Sequence, residues 1–223
     1  MAAPPAKAVA ERLGIPVLQP DRLEPGLELG APTVVAVAYG LIVPDAVLAE
    51  RLWLNVHPSL LPRWRGAAPV ERAIMAGDAE TGVTVIRLVK ELDAGPIVAQ
   101  EAFPIGPEDD AGAVYERAAE VAARILAAVA DSPRFTPQPD HGMTYAEKIT
   151  PADRELDLSR PAVELVNHVR ALSPHIGARA ELHGRRVTVW RACVAEDGSF
   201  EPLEVQPDGG RRMEVAAWLR GLR

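Results

Sequence analysis

The sequence predicts an α/β protein with a parallel sheet in its first part and a small β-rich module in its second. Two apolar runs of strand length, residues 33–38 and 52–57, alternate with segments that have the spacing of helices. This alternation is typical of a parallel sheet covered by helices, whose strands are buried on both faces. A proline-rich segment at 131–142 precedes a stretch in which strand patterns dominate. We therefore predict a Rossmann-like sheet domain at 1–135 and a β-rich domain at 141–223.

The elements of the first part follow from apolar spacing and from glycine and proline at their ends. The last helix is the clearest, because its apolar residues recur at helical spacing from Ala113 to Val129. Gly14 and Gly77 end two earlier helices, and Pro44 suits the first turn of another. In chain order the prediction is helix 6–13, strand 15–18, loop 19–32, strand 33–38, helix 44–51, strand 52–57, loop 62–66, helix 68–76, strand 82–89, strand 98–105 and helix 110–130.

The second part begins after four closely spaced turn-forming residues, Pro133, Pro137, Pro139 and Gly142. Prolines favour an extended chain, so 131–142 is predicted to be a semi-extended linker between domains. Beyond it the pattern predicts a helix at 161–172 and strands at 177–182, 186–192 and 203–205. A short turn pairs the first two of these strands as a hairpin.

Composition is that of a globular protein and excludes several other classes. The 223 residues are 48% hydrophobic and 25% charged, which is enough apolar content for a substantial core. The single Cys193 excludes an internal disulfide, and no Cys/His cluster has the spacing of a zinc site. No apolar run reaches the roughly 20 residues of a membrane span, and the amino terminus lacks a signal-peptide pattern. We therefore expect a cytoplasmic protein that uses neither a membrane nor a metal.

Charge is unevenly distributed along the chain, whose net charge is −7. Residues 1–140 carry 12 basic and 19 acidic side chains, whereas residues 141–223 carry 12 of each. The arginines of the second part allow two interpretations, a basic face that attracts phosphate or a solvated surface of mixed sign. These arginines are Arg185, Arg186, Arg191, Arg211, Arg212, Arg220 and Arg223.

Two short segments carry side chains that are suited to chemistry. One is 55–62 (Asn-Val-His-Pro-Ser-Leu-Leu-Pro) at the end of a predicted strand, and the other is 92–97 (Leu-Asp-Ala-Gly-Pro-Ile). Polar residues beyond the ends of adjacent strands lie where α/β sheets bind ligands. Asn55, His57 and Asp93 supply an amide donor, a titratable ring and an acid that orients the ring, which suits a tetrahedral acyl-transfer intermediate. Taken singly, they also fit a turn cap, a strand-end histidine and a turn former.

These segments resemble the signature of the folate-dependent formyltransferases, an Asn-x-His-x-Ser-Leu-Leu-Pro run followed by an Asp-x-Gly. The separation of 38 residues between Asn55 and Asp93 fits that family. Other runs are similar to the methionyl-tRNA branch of the family, so the resemblance covers nearly the whole chain. They are 38–44 (AYGLIVP), 63–69 (RWRGAAP), 76–84 (AGDAETGVT), 144–149 (TYAEKI) and 203–207 (LEVQP).

The resemblance implies a fold, a reaction and roles for particular residues. The fold is a Rossmann-like catalytic domain followed by an OB-like β-barrel domain. The reaction is transfer of the formyl group of 10-formyltetrahydrofolate to the amino group of initiator methionyl-tRNA, by a monomer that needs no metal. Asn55, His57 and Asp93 are the implied catalytic residues. The implied substrate-binding residues are Ser59, Leu60, Leu61, Pro62, Arg63 and Arg65.

The resemblance begins at the helix that follows the family's first strand, glycine turn, helix, second strand and basic loop. We therefore expect the family's first strand–helix–strand segment to be missing from this sequence. Two other functions stay open at this point. One is a non-catalytic truncated remnant or RNA-binding module. The other is a formyltransferase that acts on a small nucleotide acceptor, against which the second domain and the 65–69 run (RGAAP) argue.

Overall fold

The computed structural model of the protein describes residues 4–222, in which two four-stranded sheets carry most of the core. The helices are α1 (Pro5–Arg12), α2 (Asp45–Leu48), α3 (Pro69–Met75), α4 (Ala111–Val129), α5 (Ala162–Leu172) and α6 (Val215–Arg220). The strands are β1 (Thr33–Val37), β2 (Leu52–His57), β3 (Arg65–Gly66), β4 (Glu80–Arg87), β5 (Ile97–Pro104), β6 (Tyr145–Ala146), β7 (Ala178–Leu182), β8 (Arg185–Val194), β9 (Phe200–Pro207) and β10 (Met213–Glu214).

The first sheet has the strand order β1-β2-β4-β5, and its strands run in both directions. β1 and β2 are parallel, whereas the β2–β4 and β4–β5 pairs are antiparallel. The α/β class is confirmed, and the sheet is mixed where the sequence predicted a parallel one. The connection from β4 to β5 is shorter than the crossover that parallel neighbours require, which accounts for the antiparallel β4–β5 pair.

β1 lies at an edge of this sheet, which differs from the prediction of a strand buried on both faces. Only Ala36 of β1 is buried, and Val37 is 62% exposed. Within residues 4–222, β1 pairs with β2 alone. The prediction of a strand at 15–18 is wrong, because this segment is irregular and mostly exposed. A short apolar run forms a strand only where a neighbouring strand pairs with it.

The main core lies between the first sheet and the helices α3 and α4. Leu54 and Val56 of β2 pack into this core. Successive side chains of a strand point to opposite faces, and Trp53 accordingly packs in a separate small cluster with Val47 of α2. α4 matches the predicted long helix, and its N-cap is Asp110, whose side chain accepts a hydrogen bond from a backbone N–H of the first turn.

The second sheet is antiparallel throughout, in the order β10-β9-β8-β7, and α5 packs on it. The predicted helix at 161–172 and the predicted strands correspond to α5, β7, β8 and β9. Residues from these elements form a second core, which includes Val169, Leu172, Val187, Val189 and Val205. Among the helices of residues 4–222, none combines the length and the apolarity that a bilayer crossing requires.

Polar contacts join the two sheets and their helices. Arg72 of α3 donates to the Asp153 carboxylate at 2.8 Å and to the Glu147 carbonyl at 3.1 Å. Arg170 of α5 donates to the Gly106 carbonyl at 2.9 Å. These contacts cross the division at 135/141, which stays a prediction as a boundary between domains.

Candidate active site

β2 carries two of the three residues predicted to be catalytic. Leu54 and Val56 face the main core, so the alternating residues Asn55 and His57 face the other side of the sheet. His57 is the last residue of the strand and is 4% exposed, whereas Asn55 is half-buried. The strand thus holds an amide and an imidazole two residues apart on one face.

Asp93 reaches these residues from a turn after β4, and not from the end of a parallel neighbour. β4 is antiparallel to β2, so its last residue, Arg87, pairs with Leu54. The chain then folds back, and Gly95 lies so close to the Arg87 carbonyl oxygen that a Cβ at position 95 would overlap it. Asp93 itself has a φ of +46°, a left-handed conformation that aspartate tolerates better than most residues.

The side chains of Asn55 and His57 converge on the carboxylate of the third predicted residue, Asp93. Asn55 Nδ2 donates to Asp93 Oδ1 at 3.4 Å, and His57 Nδ1 lies 3.6 Å from Asp93 Oδ2. The backbone N–H of Gly66 donates to Oδ2 at 2.9 Å. All three therefore lie within reach of one reacting group.

Hydrogen bonding orients the His57 ring. Its Nε2 lies 2.8 Å from the backbone carbonyl oxygen of Trp64. A carbonyl oxygen only accepts, so Nε2 carries a proton and donates it there. Nδ1 then faces the Asp93 carboxylate, 3.6 Å from its Oδ2. An amide donor beside an imidazole and a carboxylate is an arrangement that can stabilise an oxyanion and relay a proton.

A strand of the second half, β6, lies against β3, whose Gly66 N–H contacts Asp93. β3 pairs with β6 in parallel, with Gly66 opposite Ala146. Gly66 has a φ of +124°, and a Cβ there would lie 2.6 Å from the Ala146 carbonyl oxygen. Glycine at position 66 therefore lets its N–H approach Asp93 while β3 packs directly on β6.

Two residues that the sequence did not single out, Thr84 of β4 and Gln100 of β5, hold the predicted substrate-binding loop Ser59–Pro62. The Thr84 hydroxyl donates to the Ser59 carbonyl at 2.6 Å and accepts from the Leu61 N–H at 3.1 Å. Gln100 donates to the Leu61 carbonyl at 3.0 Å. A polar residue inside the apolar run 82–86 was a usable signal for Thr84, because a buried hydroxyl needs partners.

Arg63 makes its side-chain hydrogen bonds to Asp78, which is outside the Asn55–His57–Asp93 cluster. Its guanidinium makes two hydrogen bonds to the Asp78 carboxylate, at 2.8 and 2.6 Å, and the Trp64 indole donates to the same group at 2.8 Å. These bonds to Asp78 raise the pKa of the Arg63 side chain. Arg65 instead contacts Gln138. The substrate-binding roles of Ser59, Leu60, Leu61, Pro62, Arg63 and Arg65 stay predictions.

Several arginines of the second half are paired with acids rather than gathered into a basic face. Arg186 contacts Glu155 at 2.6 Å, and Arg212 contacts Glu204 at 2.8 Å. Arg191 lies 3.9 Å from a Glu214 oxygen. Of the two interpretations of these arginines, the pairs favour the solvated surface of mixed sign.

Comparison with known proteins places the chain among formyltransferases. Residues 16–130 match the family model described as formyl transferase, and residues 148–202 match that of the formyl transferase C-terminal domain. The methionyl-tRNA formyltransferase of Paracoccus denitrificans (strain Pd 1222) is 41% identical over 98% of this chain and 82% of that protein. That of Methylobacterium sp. (strain 4-46) is 44% identical over the same shares of the two chains.

Solved structures support the fold. HypX from Aquifex aeolicus, in complex with tetrahydrofolic acid, has a TM-score of 0.69 at 21% identity, over 85% of this chain and 38% of that chain. The methionyl-tRNA formyltransferase of Clostridium thermocellum has a TM-score of 0.66 at 17% identity, over 83% of this chain and 79% of that chain. The fold is therefore shared with these proteins, and the sequence relatives together with the two family models show that the chain belongs to the methionyl-tRNA formyltransferase family.

Proposed function

We propose that the protein transfers the formyl group of 10-formyltetrahydrofolate to the amino group of initiator methionyl-tRNA. The observation that carries the proposal is the convergence of Asn55 and His57 on the Asp93 carboxylate, in a chain of this family. The folate enters as a co-substrate, and the tetrahydrofolic acid bound to HypX is consistent with that class of ligand.

The reaction requires stabilisation of one oxyanion and movement of one proton. The methionyl amine attacks the formyl carbon, and the carbonyl oxygen becomes an oxyanion. Asn55 Nδ2 is suited to donate to this oxyanion, because its 3.4 Å bond to Asp93 is long and easily exchanged. The bond between the formyl carbon and folate N10 then breaks. The proton lost by the amine passes to N10, with the His57–Asp93 pair as the carrier.

The loop 59–62 supports folate binding in this proposal. Ser59 and Leu61 are buried, so the loop presents its backbone and the half-buried side chains of Leu60 and Pro62. Thr84 fixes the loop against β4, which keeps backbone donors and acceptors in place for the polar edges of a pteridine. We further propose that Arg65 binds the substrates near Asp93 and that Arg63 acts at the outer end of the loop.

Formyl transfer by the purified full chain tests the proposal with three acceptors. They are initiator methionyl-tRNA, glycinamide ribonucleotide and an amino-sugar nucleotide, each with 10-formyltetrahydrofolate. We expect transfer to the tRNA. Preference for a small acceptor would contradict the choice of substrate, and tRNA binding without any transfer would support the RNA-binding module.

Variants of β2 test the mechanism separately from the choice of acceptor. Asn55→Ala and His57→Ala should each lower the single-turnover rate about 100- to 1000-fold, the loss expected for an oxyanion donor. Affinity for tRNA should change little, because both residues act where charge develops during the reaction. His175→Ala, which removes an exposed histidine after α5, is the matched control and should keep the parent rate. Parent-like turnover by the β2 variants would refute the mechanism.

A further inference from the structure

Gln138 is the feature of the predicted linker that the proposed mechanism does not use. The residues on either side of it, 134–137 and 139–142, are exposed, and Gln138 alone among 134–142 is half-buried. Thr136 brings it inward by pairing with Ile97, with backbone hydrogen bonds of 2.7 and 2.8 Å in the two directions. Thr136 and Gln138 therefore attach the predicted semi-extended linker 131–142 to the first sheet beside the Asp93 turn.

The Gln138 carboxamide is fully hydrogen-bonded. Its Nε2 donates to the Asp93 carbonyl at 2.7 Å and to the Gly95 carbonyl at 2.8 Å. Its Oε1 accepts from Arg65 Nε at 3.1 Å and from Arg65 Nη2 at 2.6 Å. Only an amide offers two donors and an acceptor in this arrangement. A glutamate would place an oxygen against two carbonyls, and an alanine would leave all four groups without this partner.

These contacts act on both sides of the Asp93 carboxylate. The backbone of Asp93 is left-handed, a conformation that persists only where surrounding contacts hold it. Gln138 holds the carbonyls at two points of this turn. Through Arg65 it also holds the residue before Gly66, whose N–H donates to the carboxylate at 2.9 Å. One side chain thus fixes the turn that carries Asp93 and the strand that binds it.

We propose that Gln138 is a positioning residue, which sets the Asp93 carboxylate relative to His57 and connects the segment between the two predicted domains to the reaction centre. The effect of Gln138 on the rate of formyl transfer rests on the proposed function, whereas its effect on the position of the Asp93 carboxylate beside His57 does not. Gln138 bonds to the backbone of Asp93 and not to its carboxylate or to His57. Its effect on His57 therefore passes through the Asp93 turn.

The test measures the His57 ring directly, in the full chain labelled with ¹⁵N. Ring nitrogen signals of His57 are assigned by their loss in His57→Ala. We expect Gln138→Ala to shift these signals and to slow single-turnover formyl transfer about 10- to 100-fold, with little change in the KM for folate. Gln138→Glu should behave like Gln138→Ala, because it keeps the acceptor for Arg65 and loses both donors to the turn.

Gln206→Ala is the matched control. Gln206 of β9 is also half-buried, accepts from Trp190 Nε1 at 3.2 Å and donates to the Gly210 carbonyl at 3.1 Å, all within the second sheet region. It should leave the His57 signals and the rate unchanged. Unchanged His57 signals in Gln138→Ala, parent-like behaviour of Gln138→Glu, or an equal shift in Gln206→Ala would each overturn the proposal. If the parent chain transfers no formyl group, the proposed function fails, and the ring signals still decide the role of Gln138.

Discussion

Thr81 and Thr84 are two buried threonines of the same strand, β4, that differ in hydrogen bonding. Thr84 is 0% exposed, and its hydroxyl contacts the Ser59 carbonyl, the Leu61 N–H and the Gln100 amide. Thr81 is 3% exposed, and its hydroxyl has no partner among residues 4–222. Replacement by valine keeps the shape and the β-branch while removing the hydroxyl, so the pair isolates the value of the hydrogen bonds.

The expected effects of the two substitutions on the free energy of unfolding have different sizes and signs. Thr84→Val leaves the Leu61 N–H and the Ser59 carbonyl buried without this partner, at about 1–3 kcal/mol for each group. The Gln100 amide keeps its bond to the Leu61 carbonyl, so the total loss is the sum over the two groups, about 2–6 kcal/mol. Thr81→Val replaces an unpaired buried hydroxyl with a methyl group. It should leave stability unchanged or raise it by up to about 1 kcal/mol.

Equilibrium urea unfolding of the parent and both variants measures these differences as shifts of the midpoint at constant slope. Hydrogen exchange of the Leu61 amide provides a local readout, which should accelerate in Thr84→Val and stay constant in Thr81→Val. Equal losses in the two variants, or a larger loss in Thr81→Val, would refute the assignment of Thr84 as the residue that holds the loop 59–62.

Three further predictions concern other contacts of the described residues. Hydrogen bonds from Arg72 and Thr150 hold the pKa of Asp153 far below its usual value. The Arg72–Asp153 ion pair therefore stabilises the fold above about pH 4, and this contribution is lost as the pH falls further. Asp153→Asn should therefore lower unfolding free energy by about 1–3 kcal/mol at pH 7, and the difference should shrink in urea titrations below about pH 4. Gly95→Ala should cost about 1–3 kcal/mol by overlap with backbone, whereas Gly40→Ala, in open space, should be nearly neutral in the same assay. Asp110→Ala removes the N-cap of α4 and should lower the thermal midpoint by the equivalent of about 1 kcal/mol.

The sequence by itself determined most elements and the chemical types at the site. Local periodicity was sufficient for α4 and for β2, because both signals come from residues close together in the chain. The alternation of β2 placed Asn55 and His57 on one face, and the motif spacing related both to Asp93. The sequence did not show that 15–18 lacks a pairing strand, since pairing depends on what lies beside it.

Tertiary structure decided how these parts meet. The antiparallel course of β4 and the fold-back of its following turn bring Asp93 to His57, although β4 ends opposite Leu54 and not opposite His57. Thr84 lies 25 residues from Ser59, Gln138 lies 45 residues from Asp93, and Ala146 is paired with the distant Gly66. Contacts at such separations depend on packing of the whole chain, and no local pattern encodes them. Local sequence therefore supplied the reactive groups, and long-range packing set the distances between them.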